Sequence, residues 1–167
     1  MAKYIEDDLE FDFSWADTSE NYDCDIKHSG HAMKRVDFIA EKSNKCFFIE
    51  VKDPDHPKGT QNINSNKEKF LSGNLVPDLA SKYRDSRLFK TLSNQAQKKL
   101  HYVVLFSMKS MEPALLMARS DALKKAIPLS HKDWVMDMAS SCIILNIDQY
   151  KKQFGETSVR RLSESGA

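Results

Sequence analysis

Residues 36–52 constrain the fold of this chain more than any other stretch, and they read V-D-F-I-A-E-K-S-N-K-C-F-F-I-E-V-K. Two runs rich in β-branched and aromatic residues, 36–40 and 46–52, flank a polar segment centred on Ser43-Asn44, an acceptable turn pair. The pattern predicts an antiparallel hairpin. A turn centred between Ser43 and Asn44 pairs residues whose numbers sum to 87, so Asp37 faces Glu50 and Arg35 faces Lys52.

This pairing places two carboxylates directly opposite each other, and like charges in that position destabilise a hairpin. A divalent cation between Asp37 and Glu50 removes the repulsion, and oxygen ligands of this kind suit Mg²⁺ or Mn²⁺. Side chains alternate along a strand, so Glu50 and Lys52 project together while Phe47, Ile49 and Val51 point into a core. The hairpin therefore predicts two carboxylates and an ammonium group on one face.

The spacing of Asp37 and the apolar strand that ends in Glu50-Val51-Lys52 resembles the PD-(D/E)xK nuclease superfamily, which has the restriction-endonuclease-like fold. The resemblance implies that Asp37, Glu50 and the backbone carbonyl of Val51 hold a catalytic metal. It also implies that Lys52 positions or activates the attacking water. Val36 stands where the family pattern has proline, a position at which members often differ.

A D/E-x-K triplet has little specificity by itself, because Asp25-Ile26-Lys27 in this chain fits it too. Glu50 differs from Asp25 in following an apolar run, 47–49. The alternative interpretation is a surface hairpin whose exposed face carries Asp37, Glu50 and Lys52 without any catalytic role.

The elements after the hairpin alternate between helical and strand patterns. Residues 77–100 form leucine stripes at helical spacing, offset near residues 85–86, which indicates either two helices or one helix with a kink. Continuous apolar runs predict buried strands at 101–107 and 142–147, and helical patterns cover 112–127, a short segment from 130, and 148–154. This order predicts an α/β three-layer sandwich, a central mixed sheet with helices on both faces. It agrees with the restriction-endonuclease-like fold.

The remaining segments leave alternatives open. Alternation over 9–15 indicates a strand, but a helix across 4–10 fits nearly as well, and residues 22–27 resemble a first strand. The family usually opens with a helix whose Glu joins the metal site, and the resemblance makes Glu6, Glu10 and Glu20 equal candidates. Residues 53–74 read as an irregular loop, either a flap over the substrate or a disordered insertion. We predict one domain over 1–156 and a disordered tail over 157–167.

Basic residues concentrate in 75–101, which holds six Lys and Arg against two Asp. Its polar side offers Lys82, Arg84, Arg87 and Gln95 as nucleic-acid-binding candidates, with a merely solvated basic face as the alternative. The resemblance implies that this helix lends a polar residue to the site, and Lys82 is the first candidate.

Composition sets the remaining expectations. The formal net charge is only +1, so a homodimer or a partner protein is expected to complete a nucleic-acid surface. Three widely spaced cysteines indicate a reducing, cytoplasmic setting, and the apolar runs are too short to span a membrane. The resemblance implies a metal-dependent nuclease, with DNA favoured over RNA. The alternative is a nuclease-like fold kept as a nucleic-acid- or protein-binding module.

Overall fold

The computed structural model describes residues 2–24, 32–58, 61–93 and 98–164, with only the backbone of residues 61–64. This part of the chain folds as a mixed α/β structure. Its elements in chain order are β1 (Lys3–Glu6), β2 (Leu9–Asp12), β3 (Thr18–Asn21), β4 (Phe38–Lys42), β5 (Lys45–Lys52), α1 (Gln61–Ser72), α2 (Leu75–Leu92), β6 (Lys99–Phe106), α3 (Pro113–Ala126), β7 (Ser141–Leu145), α4 (Ile147–Phe154) and β8 (Val159–Arg161).

The central sheet has five strands in the order β3-β4-β5-β6-β7. The first three strands are antiparallel, and β5, β6 and β7 run parallel, so the sheet is mixed as predicted. The β4–β5 ladder runs from Phe38 opposite Ile49 to Lys42 opposite Lys45, which confirms the predicted register. Ser43 closes the turn with a φ of 52°, a left-handed conformation at the expected position.

Alternation along β5 separates the two faces of this sheet. Phe48 faces the helices and packs against Tyr83 of α2, with ring centroids 5.5 Å apart. Phe47 and Ile49 face the opposite layer, which is built from a small sheet of order β1-β2-β8 and helix α4. The chain is therefore layered as an α/β sandwich, but one outer layer is mainly a three-stranded sheet, whereas the sequence predicted helices on both faces.

The two ends of the chain form the small sheet. The strand predicted within 9–15 is confirmed over Leu9–Asp12, whereas the C-terminal end differs from the prediction. Residues 4–10 are two strands joined by a tight turn in which Asp7 has a φ of 53°, so the helix alternative is wrong. The tail prediction is wrong for Val159–Arg161, which pairs antiparallel with β2 and buries Val159 completely. Residues 165–167 lie outside the described residues.

Residues 61–72 are helical, although their Asn and Ser content favoured a loop. Phe70 anchors the helix through its stacking on Phe106, with ring centroids 3.9 Å apart. Arg119 of α3 donates from Nε to the carbonyl of Phe70 at 2.7 Å and caps the helix end. Tertiary packing of this kind supplies most helical stability in proteins, so it overrides the weak local propensity.

Other boundaries differ from the sequence prediction in smaller ways. The predicted helix over 77–100 is a single helix, α2, that starts at Leu75 and stops at Leu92. The first strand of the central sheet lies at Thr18–Asn21, before the predicted 22–27, of which 25–27 lie outside the described residues. The segment from 131 to 137 is exposed and non-helical. Within the described residues, the longest helices are too short or too polar to cross a membrane.

Candidate functional site

Asp37 lies immediately before β4 and is almost fully buried, at 4% exposure. Its Oδ2 accepts a hydrogen bond from the backbone N–H of Val51 at 2.6 Å, which fixes the carboxylate against the end of β5. The backbone N–H of Tyr22 donates to the carbonyl of Asp37 at 2.8 Å and holds the main chain. Backbone N–H groups thus fix both the main chain of Asp37 and one oxygen of its carboxylate, and the other oxygen, Oδ1, faces α2.

Glu50 lies in β5, which pairs with β4 on one side and β6 on the other, and its side chain is fully buried. Its Oε1 accepts hydrogen bonds from Lys52 Nζ at 2.5 Å and from Lys82 Nζ at 2.6 Å. Its Oε2 is also buried, and no group in the described part of the chain hydrogen-bonds to it. A buried carboxylate oxygen without a donor is costly, because its lone pairs have lost water without replacement.

Lys82 bridges the two carboxylates from α2, since its Nζ also lies 3.5 Å from Asp37 Oδ1. A single cationic nitrogen therefore reaches both side chains, and Asp37 and Glu50 lie on one face as the register predicted. Lys52 Nζ additionally donates to the Val51 carbonyl at 3.1 Å. We call Asp37, Glu50, Lys52 and Lys82 the carboxylate–lysine cluster.

Burial controls the ionisation of this cluster. Burial raises the pKa of Asp37 well above its ordinary value, the neighbouring Glu50 raises it further, and the ammonium groups of Lys82 and Lys52 oppose the shift. For Lys82, burial lowers the pKa, but the charges of Glu50 and Asp37 outweigh it and raise the pKa above the usual range. Strongly perturbed groups that share one location are characteristic of functional sites.

The structure selects one of the three N-terminal glutamates. The pKa of Glu6 is raised by burial, then by Asp7 and Glu50, while Lys52 and Lys82 lower it, so Glu6 lies within electrostatic range of the cluster. Glu10 instead pairs with Arg160 at 2.9 Å. Glu20 lines a separate cavity beside Glu41 and Lys90.

Asp7 was missed by the sequence reasoning. Burial raises its pKa, Asp53 raises it further, and His56 and Lys52 lower it. Its only sequence signal is adjacency to Glu6, and the left-handed turn that brings it near Lys52 cannot be read from an Asp-Asp pair. The acidic side of the site is therefore larger than the hairpin alone implied.

The oxygen atoms at this site are suitable ligands for a hard divalent cation. Asp37 and Glu50 supply carboxylate oxygens, Val51 supplies a carbonyl, and the Glu50 oxygen without a donor is available as a ligand. No group of three or more His, Cys, Asp or Glu side chains arranged to hold a metal occurs among the described residues, so two carboxylates would carry the ion. Lys52 and Lys82 together balance the charge of these carboxylates, and a bound cation would compete with the two ammonium groups.

Of the nucleic-acid-binding candidates, the structure brings only Lys82 to the cluster. Arg84 follows Lys82 by two residues, about 200° around the helix, and is exposed on the far side. Arg87 donates to Thr91 Oγ1 at 2.7 Å and lines an apolar cavity of about 440 Å³ beside Trp134. Gln95 lies outside the described residues.

Comparison of the chain with models of protein families, with curated proteins and with solved structures finds no match.

Proposed function

We propose that this chain is a metal-dependent nuclease that hydrolyses phosphodiester bonds, with DNA favoured over RNA as substrate. The observation that carries the proposal is the burial of Asp37 and Glu50 together against the ammonium groups of Lys52 and Lys82. Removing an ion from water costs several kcal/mol even in a relaxed protein interior, so such a cluster is an expensive way to stabilise a fold. A catalytic role therefore explains this cluster better than a structural role does.

The order of elements supports a restriction-endonuclease-like version of the α/β sandwich. An antiparallel set, β3-β4-β5, is followed by helices α1 and α2, a parallel strand, another helix and a further parallel strand. In the resembled superfamily, the helix after the E-x-K strand packs beside the active site and often lends a polar residue. Lys82 contacts Glu50 from α2, the second helix after that strand, and Glu6 supplies an N-terminal carboxylate from a strand where the family uses a helix.

Each residue has a distinct role in the proposed reaction. Asp37, Glu50 and the Val51 carbonyl would hold Mg²⁺ or Mn²⁺, which supplies Lewis-acid polarisation of the phosphate and lowers the pKa of a bound water. Lys52 donates hydrogen bonds to the attacking water or to the developing negative charge, because an ammonium group has donors and no lone pair. Lys82 balances part of the carboxylate charge and would lie next to the scissile phosphate.

The nucleic-acid surface is incomplete in one copy of the chain. Lys82 is committed to the carboxylates, and Arg84 and Arg87 face away from them. With a net charge of only +1, the chain offers a weak electrostatic attraction for a polyanion. A second copy or a partner protein in the cytoplasm would supply the missing phosphate contacts.

The alternative from another class is a nuclease-like fold that has kept the cluster only as part of a nucleic-acid- or protein-binding module. The observation that favours it is the pairing of Glu50 with both Lys52 and Lys82, and of Asp37 with Lys82, so that two ammonium groups balance two carboxylates. In that case the cluster is a closed ion-pair network. The two functions differ in whether a divalent ion binds and whether phosphodiester bonds break.

The decisive experiment measures cleavage and metal binding on the same protein. The purified chain is incubated with single- and double-stranded DNA and RNA in Mg²⁺, in Mn²⁺ or in chelator. The nuclease proposal expects cleavage only with metal, and a melting temperature that rises with metal concentration by mass action. Glu50→Gln removes the charge but keeps the shape, and it should abolish both responses.

A separate surface carboxylate serves as the control for that variant. Asp121 of α3 is exposed, and its only ion pair within the described residues is with Lys124, at 3.2 Å. The variant Asp121→Asn should therefore cleave nucleic acid and bind metal as the unaltered chain does. A chain that binds nucleic acid in chelator, ignores divalent ions and leaves every substrate intact would establish the binding module instead.

The raised pKa of Asp37 predicts how stability depends on pH. A carboxyl whose pKa is raised on folding binds its proton more tightly in the folded chain, so it favours folding at low pH. That contribution is lost as the pH rises from the ordinary value of 3.8 through the raised pKa. In chelator, the free energy of unfolding of the unaltered chain should therefore fall across this window relative to that of Asp37→Asn.

Chemical denaturation of the two proteins at a series of pH values gives this comparison, because the titrations of groups outside the carboxylate–lysine cluster cancel in the difference. Asparagine keeps an oxygen that can accept the Val51 N–H, so the backbone contact survives in the variant. Parallel pH profiles for the two proteins would mean that Asp37 titrates normally and that the cluster is more hydrated than its burial indicates.

A further inference from the structure

A row of three lysines crosses the central sheet at the end away from the carboxylate–lysine cluster. Lys42 of β4 lies opposite Lys45 of β5, and Lys45 lies opposite Lys99 of β6. All three are exposed, and residues in register project from the same face. Like charges directly opposite one another destabilise a sheet, so this row has a cost that its own strands do not offset.

No carboxylate in the described part of the chain forms an ion pair with any of these three lysines. Glu41, the adjacent acid on β4, pairs instead with Lys90 at 3.2 Å and with Lys98 at 2.8 Å. Asp17 lies at the β4–β5 turn, but its Oδ2 accepts the backbone N–H of Ser43 at 2.6 Å. The lysine row is therefore left without an anionic partner.

A cavity of about 330 Å³ with aromatic walls opens beside Lys42 and Lys45, whereas Lys99 lines a separate cavity. Its lining residues are Trp15, Lys42, Lys45, Phe47, His101, Gln153 and Phe154. The rings of Phe47 and His101 stack with centroids 5.2 Å apart, and Trp15 lies 4.4 Å from Phe154. The volume is at the lower end of small-molecule sites, which span roughly 300–1,000 Å³, so it suits one flat ring system with a substituent.

Two ring nitrogens of residues that line this cavity have no hydrogen-bond partner among the described residues. They are Trp15 Nε1 and His101 Nε2, and both are buried. The indole nitrogen is a donor only. His101 Nδ1 lies 2.8 Å from Ser141 Oγ, and when the hydroxyl donates to Nδ1 the proton resides on Nε2. Both nitrogens are then N–H donors without an acceptor.

The electrostatics of His101 agree with that arrangement. Burial lowers the pKa of His101, and the nearby charges of Lys45 and Lys99 lower it further, so the ring is neutral at pH 7. The lysines therefore carry the positive charge of this site, while the rings supply apolar contact and hydrogen-bond donors. Buried donors are rarely left unpaired in proteins, so we expect Trp15 Nε1 and His101 Nε2 to donate to an acceptor on a bound ligand.

This site is separate from the carboxylate–lysine cluster. Lys45 and Phe47 project to one face of β5, and Glu50 and Lys52 project to the other. Five residues of extended chain, at about 3.3 Å each, separate Lys45 from Glu50 along the strand. A ligand on the lysine row therefore cannot take part in the proposed hydrolysis directly.

We propose that the lysine row and its aromatic cavity form a second site, which binds a small phosphorylated ligand with a flat ring, of the nucleoside monophosphate class. The phosphate lies against Lys42 and Lys45, which line the cavity, and removes the repulsion between them, because a phosphomonoester carries about −1.5 to −2 charges at pH 7. The ring contacts Phe47 and accepts hydrogen bonds from Trp15 and His101.

The test uses the full chain in chelator, so that the carboxylate–lysine cluster does not bind metal and contribute. AMP and UMP are titrated by calorimetry and by thermal shift, beside inorganic phosphate, adenosine and uridine. Both nucleotides should raise the melting temperature, with phosphate alone or a nucleoside alone binding at least tenfold more weakly. Trp15→Phe, which keeps the ring and removes the N–H, should weaken nucleotide binding about threefold to tenfold.

Lys45→Ala separates a binding role from a structural one. Because Lys45 has a like charge on each side, its removal should leave the melting temperature of the free protein unchanged or higher. Nucleotide binding should weaken by tenfold or more. Lys42→Ala should behave in the same way, and Lys132→Ala, which removes an exposed lysine from the 131–137 segment, should bind nucleotide normally.

Several results would overturn the proposal. A nucleotide response that survives in Lys45→Ala and Lys42→Ala would place the ligand elsewhere on the chain. Equal binding of inorganic phosphate and nucleotide would remove the role of the rings. Binding of a 5′-phosphorylated oligonucleotide but of no mononucleotide would make the row a nucleic-acid contact, and a lower melting temperature in both lysine variants would make the lysines structural.

Discussion

Replacing Lys52 with alanine is expected to lower the rate of phosphodiester cleavage by about 10²–10³-fold, the usual loss when one donor to a transition-state charge is removed. The fold should survive, because Glu50 Oε1 keeps its contact with Lys82 at 2.6 Å and is not left as an unpaired buried ion. The carboxylates of Asp37 and Glu50 remain, so most of the metal-induced rise in melting temperature should remain as well. The expected change is therefore in rate rather than in folding or metal binding.

A cleavage time course in Mg²⁺, run beside melting curves with and without metal, separates these effects. Lys124→Ala is the matched control, because Lys124 is exposed and, within the described residues, forms an ion pair only with Asp121. Cleavage by Lys52→Ala at the rate of the unaltered chain would make the Glu50-Val51-Lys52 triplet a coincidence of strand sequence. Loss of the folded state would instead assign Lys52 a structural role and favour the binding-module alternative.

The centre of the fold and of the candidate site was predictable because local rules determine it. A turn at Ser43-Asn44 fixes the hairpin register, and strict alternation then puts Glu50 and Lys52 on the face opposite Phe47 and Ile49. On α2, the first predicted stripe, Leu75, Leu79 and Tyr83, is buried, whereas Leu88 and Leu92 of the second stripe are exposed. Lys82 was chosen among the polar residues of this helix through the family resemblance.

The parts that were not predictable depend on contacts between distant segments. Glu6, Glu10 and Glu20 are equivalent in sequence, and only the packing of β1 against the rest of the chain distinguishes Glu6. Helix α1 forms despite its Asn and Ser content because Phe106 and Arg119, far along the chain, fix its end. Arg84 and Arg87 were grouped with Lys82 by charge, although helical geometry separates them around α2.

The C-terminal strand was missed because a three-residue strand carries almost no periodic signal. In β8, Val159 and Arg161 are buried and Arg160 is exposed, an alternation visible only once β2 is known to pair with it. The guanidinium of Arg161 donates to both oxygens of Asp53, at 2.9 and 2.7 Å, and Asp53 is only 2% exposed. Arg161, which lies in the segment predicted to be disordered, therefore fixes the side chain of Asp53, the residue directly after Lys52.

Replacing Arg161 with methionine is accordingly expected to destabilise the protein by about 3–5 kcal/mol, because it leaves the buried carboxylate of Asp53 without its cation. Methionine has a similar length and keeps the apolar contacts of the arginine stem, so the loss measures the charge rather than the volume. Since Asp53 adjoins Lys52, the variant should also cut more slowly under conditions in which it remains folded.

The neighbouring arginine provides a matched control on the same strand. Arg160 pairs with Glu10 at 2.9 Å, but its side chain is 54% exposed, and exposed ion pairs contribute little to stability. Urea unfolding should therefore show a much larger loss of stability in Arg161→Met than in Arg160→Met. Equal and small losses in both would mean that β8 is not needed for stability and that residues 1–156 fold without it, as the sequence alone suggested.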